Sequence, residues 1–169
     1  MEQILKLNPD NITAEVAASL KTRFAARGVV FDEKNNVALL PVTAHHYYKL
    51  PGGGIEEGED KIEAFRRECV EEIGSDVEIV QELGSVLEYR ADFSLVQTSY
   101  CYMAKTMGER KPANFTQHEL DNGFQEALWV PIDKAIELME IERDNYEGKY
   151  IVERDTFLLK RVKSLGDTA

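Results

Sequence analysis

The sequence predicts an α+β fold in which helices cover a mixed β-sheet, and three observations carry that prediction. Strand-like runs outnumber helical ones and follow one another with few helices between them, unlike the regular alternation of a doubly wound parallel sheet. A length of 169 residues suits one domain with one sizeable core. No Gly/Ser-rich or Pro-rich linker and no internal repeat divides the chain. The expected layout is an N-terminal extension over residues 1–22, a domain over 23–165 and a tail over 166–169.

The elements follow in order. Ile12 to Leu20 reads as a further helix within the extension. Phe24 to Phe31 and Val37 to Val42 are apolar strand runs joined by Asp32-Glu33-Lys34-Asn35-Asn36, which has the composition of a hairpin loop. Tyr47 to Leu50 is a short strand stopped by Pro51 and three glycines. A helix runs from Lys61 to Ile73. Asp60 with Glu63 three residues later makes a capping-box start, and Gly74 stands where a left-handed stop is expected. Strand segments follow at Val77 to Gly84, Ser85 to Tyr89 and Leu95 to Thr106, the last rich in aromatic and β-branched residues. Ala127 to Val130 is a short strand. Pro131 then opens a helix over Ile132 to Glu142, with proline near its first turn. A closing helix, Tyr150 to Leu165, places Ile151, Leu158, Val162 and Leu165 near one face.

Charge narrows the function. Lys and Arg number 20 against 31 Asp and Glu, a formal charge of −11. Sequence-independent binding to DNA, RNA or an anionic membrane needs a basic face, so those classes are disfavoured. The two cysteines, Cys69 and Cys101, are too few for a disulfide framework and lack zinc spacing. The N-terminus lacks a signal-peptide pattern, and no run approaches the ~20 apolar residues of a membrane helix, so a cytoplasmic protein is expected.

Within the helix Lys61 to Ile73, Ile62, Phe65, Cys69 and Ile73 form one apolar stripe, which makes Cys69 a small buried hydrophobe. Glu68, Glu71 and Glu72 are spaced i, i+3, i+4 and leave the helix on one flank. Like charges at that spacing destabilise a helix by a few tenths of a kcal/mol per pair, while hard divalent cations bind clustered carboxylate oxygens. Taken alone, in so acidic a chain, the three acids read first as a solvated acidic face and only second as metal ligands.

The wider stretch decides between them. Gly53, five residues, Glu59, seven residues and then Arg67-Glu68-Cys69-Val70-Glu71-Glu72-Ile73-Gly74 resembles the box of the Nudix family. Every charged and glycine position matches at the family's spacing. Cys69 replaces an aliphatic residue without harm to packing, and Ser75 stands where a final aliphatic is expected. The resemblance extends more softly to Leu50-Pro51-Gly52-Gly53-Gly54 and Leu128-Trp129-Val130-Pro131, covering most of Arg23 to Leu165. It implies an α/β/α sandwich and Mg²⁺- or Mn²⁺-dependent hydrolysis of a diphosphate linkage in a nucleoside diphosphate joined to a group X.

In the roles that this resemblance implies, Glu68 and Glu72 are principal metal ligands, with Glu71 a third and the backbone carbonyl of Gly52 an addition. Glu68 is the first candidate to orient or deprotonate the attacking water. Arg67 and Glu59 hold loop and helix in register by an ion pair. Gly53 and Gly54 allow close backbone approach to substrate. A further glutamate precedes the final strand in some Nudix enzymes, and Glu119 is the residue chosen for it from among Gln117 to Asp121 and Glu126. More weakly, Arg90 is a candidate for a substrate phosphate and Tyr48 for stacking on a base, with Tyr47, Tyr89 and Phe124 open to stacking or core roles. His45 and His46 read as solvated loop residues or phosphate contacts, and Trp129 as core.

Three functions stay open at this level. The leading one is a pyrophosphohydrolase of a small nucleotide, oxidised nucleotide or nucleotide sugar. A non-catalytic nucleotide-sensing module is the second, against which the intact acids speak. The third, a pyrophosphohydrolase of RNA 5′ ends, is disfavoured by the net charge. The expected partners are the small-molecule substrate and a second copy of the chain, since homodimers are common among soluble proteins, with no DNA and no membrane.

Overall fold

Long strands buried on both faces set the architecture, because each face then needs its own cover. The computed structural model describes residues 1–141 and 146–166. In chain order the elements are β1 (Gln3–Leu7), α1 (Ala14–Ala18), β2 (Lys21–Phe31), β3 (Val37–Val42), β4 (Tyr47–Lys49), β5 (Gly52–Gly54), α2 (Lys61–Ile73), β6 (Asp76–Arg90), β7 (Leu95–Met107), α3 (Gln117–Asp121), β8 (Leu128–Val130), α4 (Ile132–Glu140) and α5 (Tyr146–Gly166). The sheet order is β1-β6-β7-β2-β3-β4, with β5 also on β2 and β8 on β3.

β2 and β7 run parallel in unbroken register from Lys21↔Leu95 to Phe31↔Lys105, and β6 pairs antiparallel with β7. The other edge of β2 is divided: Ala25 to Arg27 pair with β5, while Phe31 alone pairs with β3. The sheet therefore opens between β5 and the β3–β4 hairpin, and the functional cleft lies at that opening.

Two apolar layers sandwich the sheet. Ala26, Val30, Leu40 and Tyr102 meet Phe65, Cys69 and Ile73 of α2, with the Phe65 and Tyr102 rings stacked at 5.3 Å. On the opposite face Val29, Leu39, Val86 and Cys101 meet Met139 of α4 and Leu158, Leu159 and Val162 of α5. Cys69 is fully buried, and burial pushes its thiol well above the usual range, so it is a packing residue. Ser75 is buried as well, and its hydroxyl donates to the carbonyls of Asp76 and Met107, a polar anchor where an aliphatic was expected.

α2 has the boundaries that its caps predict. Asp60 accepts from the Ile62 backbone, Glu63 completes the capping box, and Gly74 closes the helix at φ +66°. Elsewhere the chain departs from expectation. Val77 to Tyr89 is one strand rather than two, because register shifts near Val80 and Leu83 bend β6 without ending it. Residues 3–7 of the extension join the sheet, parallel to β6, and the helix expected over Ile12 to Leu20 shrinks to Ala14–Ala18 behind an N-cap at Thr13. α4 ends at Glu140, where Ile141 turns extended, and Pro131 is its N-cap rather than part of its first turn. Its expected last residue, Glu142, lies outside the described residues, as does the tail beyond Gly166. Trp129 is only half-buried, with the Arg110 guanidinium 4.1 Å from its ring centroid.

Candidate active site

The carboxylates of α2 reach the cleft across a strand that has no side chains. A Cβ on Gly53 would stand 2.4 Å from Glu68 Oε1, so this position admits glycine alone while Glu68 lies against it. The Gly52 N–H donates to Glu72 Oε2 at 2.7 Å. Glu68 and Glu72 are both buried, at 7% and 1% exposure, and half-buried Glu119 joins them from α3. One oxygen from each of these three carboxylates lies within 4.8 Å of the other two. Glu119 is held by a capping box in which Thr116 donates its N–H and its hydroxyl to Oε2, at 2.7 and 2.8 Å.

Glu71 stands apart from that group. It is half-buried and receives Arg67 Nη1 at 3.4 Å, and burial raises its carboxyl against the pull of Arg67. Arg67 is the clamp of the α2 flank. It gives Glu59 a bidentate pair at 2.8 and 3.1 Å, Glu68 Oε1 a bond at 3.0 Å and the Gly54 carbonyl another at 3.0 Å. The hydrogen bond to Glu59 is the main reason its guanidinium is held above the ordinary range.

Lys49 is the member that sequence reasoning missed. Its buried ammonium bonds both Glu72 Oε1 and the Gly52 carbonyl, the latter at 3.0 Å, beneath the Phe124 ring. Burial pushes the Glu72 carboxyl up to about 7, with Lys49 pulling it back and Glu68 adding repulsion. A cation thus already sits where a carboxylate and a carbonyl oxygen converge. The donor set of Glu68, Glu72, Glu119 and Gly52 O is all oxygen, which suits a hard divalent ion.

Opposite this wall, across a cleft of about 270 Å³, stand Arg23, Arg27, Arg90 and Arg154, with Tyr47, Phe124 and Ile151 as apolar lining. They come from β2, β6 and α5. Arg154 donates to Glu88 at 3.2 Å and Asp155 at 2.7 Å, Arg90 to Glu88 at 2.7 Å, and Arg23 to Gln97 at 2.9 Å. Asp155 in turn accepts the Leu50 N–H at 2.8 Å, tying α5 to the end of β4.

Of the sequence candidates, Gly52, Gly53, Gly54, Glu68, Glu72, Arg90 and Glu119 meet in this one cleft, and Glu59, Glu71 and Arg67 support it from the flank. Tyr48 packs against the core beneath α4 and α5, and its neighbour Tyr47 lines the cleft in its place. His45 is held away from the cleft by Asn122 at 2.9 Å. The signal for Arg23 and Arg27 was present but unread: two arginines four apart on a strand share one face.

An α/β/α sandwich that sets clustered carboxylate oxygens against guanidiniums defines a protein built for a phosphate compound and a divalent cation. The comparisons place it further. The NUDIX domain model matches residues 21–152, and the chain belongs to the Nudix family, hydrolases of phosphoric anhydrides. It is similar to Nudix hydrolase 25 of Arabidopsis thaliana, 29% identical over 119 residues that make up 59% of this chain and 67% of that protein. Among solved structures, a NUDIX hydrolase from Nitrosomonas europaea shares the fold at a TM-score of 0.65 and 15% identity, over 88% of this chain and 90% of that one. A C. elegans Ap4A hydrolase does so at 0.58 and 16%, over 86% and 99%. No described helix is long and apolar enough to cross a membrane.

Proposed function

We propose that this chain hydrolyses the diphosphate linkage of a nucleoside diphosphate joined to a group X, with Mg²⁺ or Mn²⁺ held by Glu68, Glu72, Glu119 and the Gly52 carbonyl. The observation that carries the reading is the meeting of three carboxylate oxygens within 4.8 Å in a cleft whose other wall is arginine. A bound divalent ion supplies charge neutralisation for the diphosphate and acidifies water.

The chain's own groups do the rest. Glu68 takes the proton of the attacking water: Arg67 holds its Oε1 at 3.0 Å, and its Oε2 has no hydrogen bond among the described residues. The water oxygen bonds to phosphorus, the bridging P–O bond breaks, and the leaving phosphate departs with that electron pair. Thr116 fixes Glu119 through Oε2 alone, so its other oxygen is available as a ligand. Lys49 holds the Glu72 carboxylate and the Gly52 carbonyl, the oxygens that a divalent ion would share, and keeps a positive charge beside the cleft.

The test is phosphate-coupled turnover on nucleoside triphosphates, oxidised nucleotides, nucleotide sugars and dinucleoside polyphosphates, with Mg²⁺, with EDTA and with Glu72→Gln. Hydrolysis that needs the metal and fails in the variant is the expected result. Undiminished turnover in EDTA, or none on any compound, would overturn the reading.

A further inference from the structure

The arginine wall holds more charge than its own partners neutralise. Glu88 and Asp155 are the two carboxylates bonded within it, against four guanidiniums. The acids across the cleft have other partners: Glu72 has Lys49, Glu59, Glu68 and Glu71 share Arg67, and Glu119 is held by Thr116. Arg27 is the extreme case. It is 4% exposed and has no hydrogen bond or ion pair among the described residues, and its buried Nε has no acceptor. Nε of Arg90 and Nη2 of Arg154 are buried without acceptors as well. Burial lowers the Arg27 guanidinium only to about 10, so it stays charged at neutral pH. Glu88 and Asp155 attract it without bonding to it, whereas buried donors are otherwise nearly always bonded. Such a group points to an anion that arrives as ligand.

We propose that Arg23, Arg27, Arg90 and Arg154 form a subsite for a phosphate group carried by X, beyond the diphosphate addressed at the glutamate wall. This rests on the hydrolytic reading above and narrows its substrate class to compounds whose X is phosphorylated, such as nucleoside triphosphates and dinucleoside polyphosphates, over nucleotide sugars with neutral X. Charge favours phosphate: four guanidiniums line this wall against two carboxylates bonded within it, and a terminal phosphate carries about −1.5 to −2 at pH 7 where a carboxylate carries one charge. Shape favours it too, since planar guanidiniums with free N–H groups grip phosphate oxygens in pairs. Placement is right as well. Glu68 lies against Gly53 and the Arg23 guanidinium against Gly54, so the two walls meet at adjacent residues of β5.

The experiment separates the two readings. Sodium tripolyphosphate is titrated calorimetrically in EDTA into the intact chain, Arg27→Gln and Glu72→Gln. The intact chain and Glu72→Gln are expected to bind with similar affinity and Arg27→Gln at least tenfold more weakly. Should Arg27→Gln not fold, Arg23→Gln, at the exposed mouth of the cleft, takes its place. With Mg²⁺, the ratio of kcat/KM for a nucleoside triphosphate over a nucleotide sugar is expected to fall at least tenfold in the variant. Equal tripolyphosphate binding by parent and variant, or an unchanged ratio alongside normal hydrolysis, overturns the subsite and leaves hydrolysis standing. Arg27-dependent tripolyphosphate binding without turnover of any compound upholds the subsite and overturns the hydrolytic reading.

Discussion

The two walls of the cleft are built in opposite ways. The glutamate wall is local: Glu68 and Glu72 leave one helix one turn apart, and Glu119 joins them from a short helix of its own. The arginine wall is assembled from β2, β6 and α5, whose members stand as far apart in sequence as Arg23 and Arg154. Their partners differ in kind as well. Each buried acid of the glutamate wall has a cation beside it, Lys49 for Glu72 and Arg67 for Glu68. Glu88 is fully buried within the arginine wall and serves Arg90 and Arg154 together, so nothing in solution can stand in for it. On the proposed reading, turnover depends on the first wall, while both stability and selectivity depend on the second.

That division can be broken most forcefully at Glu88. Glu88→Gln leaves Arg154 and Arg90 buried without their shared carboxylate, and it is expected to lower the unfolding free energy by about 3–5 kcal/mol in urea titrations at neutral pH. A loss below ~1 kcal/mol would show that Asp155 alone sustains the cluster. Acid is the next lever. Burial by itself would raise the Glu88 carboxyl, but Arg154, Arg90 and Arg27 hold it down to about 2. A carboxyl depressed on folding contributes stability that is complete above its unfolded pKa of ~4.3 and is lost as pH falls toward the folded value. The difference is on the order of 3 kcal/mol. Urea titrations of parent and Glu88→Gln between pH 5 and pH 2 should converge as the pH falls, and parallel curves would refute the assignment.

The glutamate wall answers through activity. Glu72→Gln is expected to reduce kcat/KM more than ~100-fold, beyond the 10- to 100-fold typical of losing an outer partner of a metal site, which is about 2.7 kcal/mol of barrier or more. Its unfolding free energy should change less than that of Glu88→Gln, since Lys49 keeps the Gly52 carbonyl and the Phe124 ring. The reverse ranking would remove the contrast between the walls. The smallest effect is at the partly exposed clamp. A double-mutant cycle on Glu59→Ala and Arg67→Ala should return a coupling of up to about 1 kcal/mol, the upper end for surface pairs, because the pairing is bidentate.

Legibility in the sequence follows the same contrast. α2 could be placed to the residue because its start, stripe and stop are all local signals: Asp60 with Glu63, Ile62 to Ile73, and Gly74. Glu68 and Glu72 come with that helix, whereas Glu119 is reached through the family resemblance and its capping box at Thr116 emerges only in the structure. Lys49 and the arginines could not be found this way, since their meaning depends on which strands become neighbours. Tyr47 and Tyr48 show the limit at its smallest scale. Adjacent strand residues face opposite sides, so choosing the ring that meets the cleft requires the register of β4 against β3. Gly84 misled in the other direction: a glycine inside a strand pattern reads as a stop, yet it sits at a bulge of a continuous β6.

β1 carries a consequence of its own. It is the outermost strand of the sheet, five residues long, and Lys6, its fourth residue, lies over the Tyr89 ring at 4.3 Å. A short strand with a lysine is a poor template for joining one molecule to the next. Behind it, β6 is long and offers the row of backbone donors and acceptors of Ser85 to Glu88 to whatever pairs with it. Trimming the first seven residues would uncover that row, and the shortened chain would then be prone to grow into fibres while its cleft was still intact.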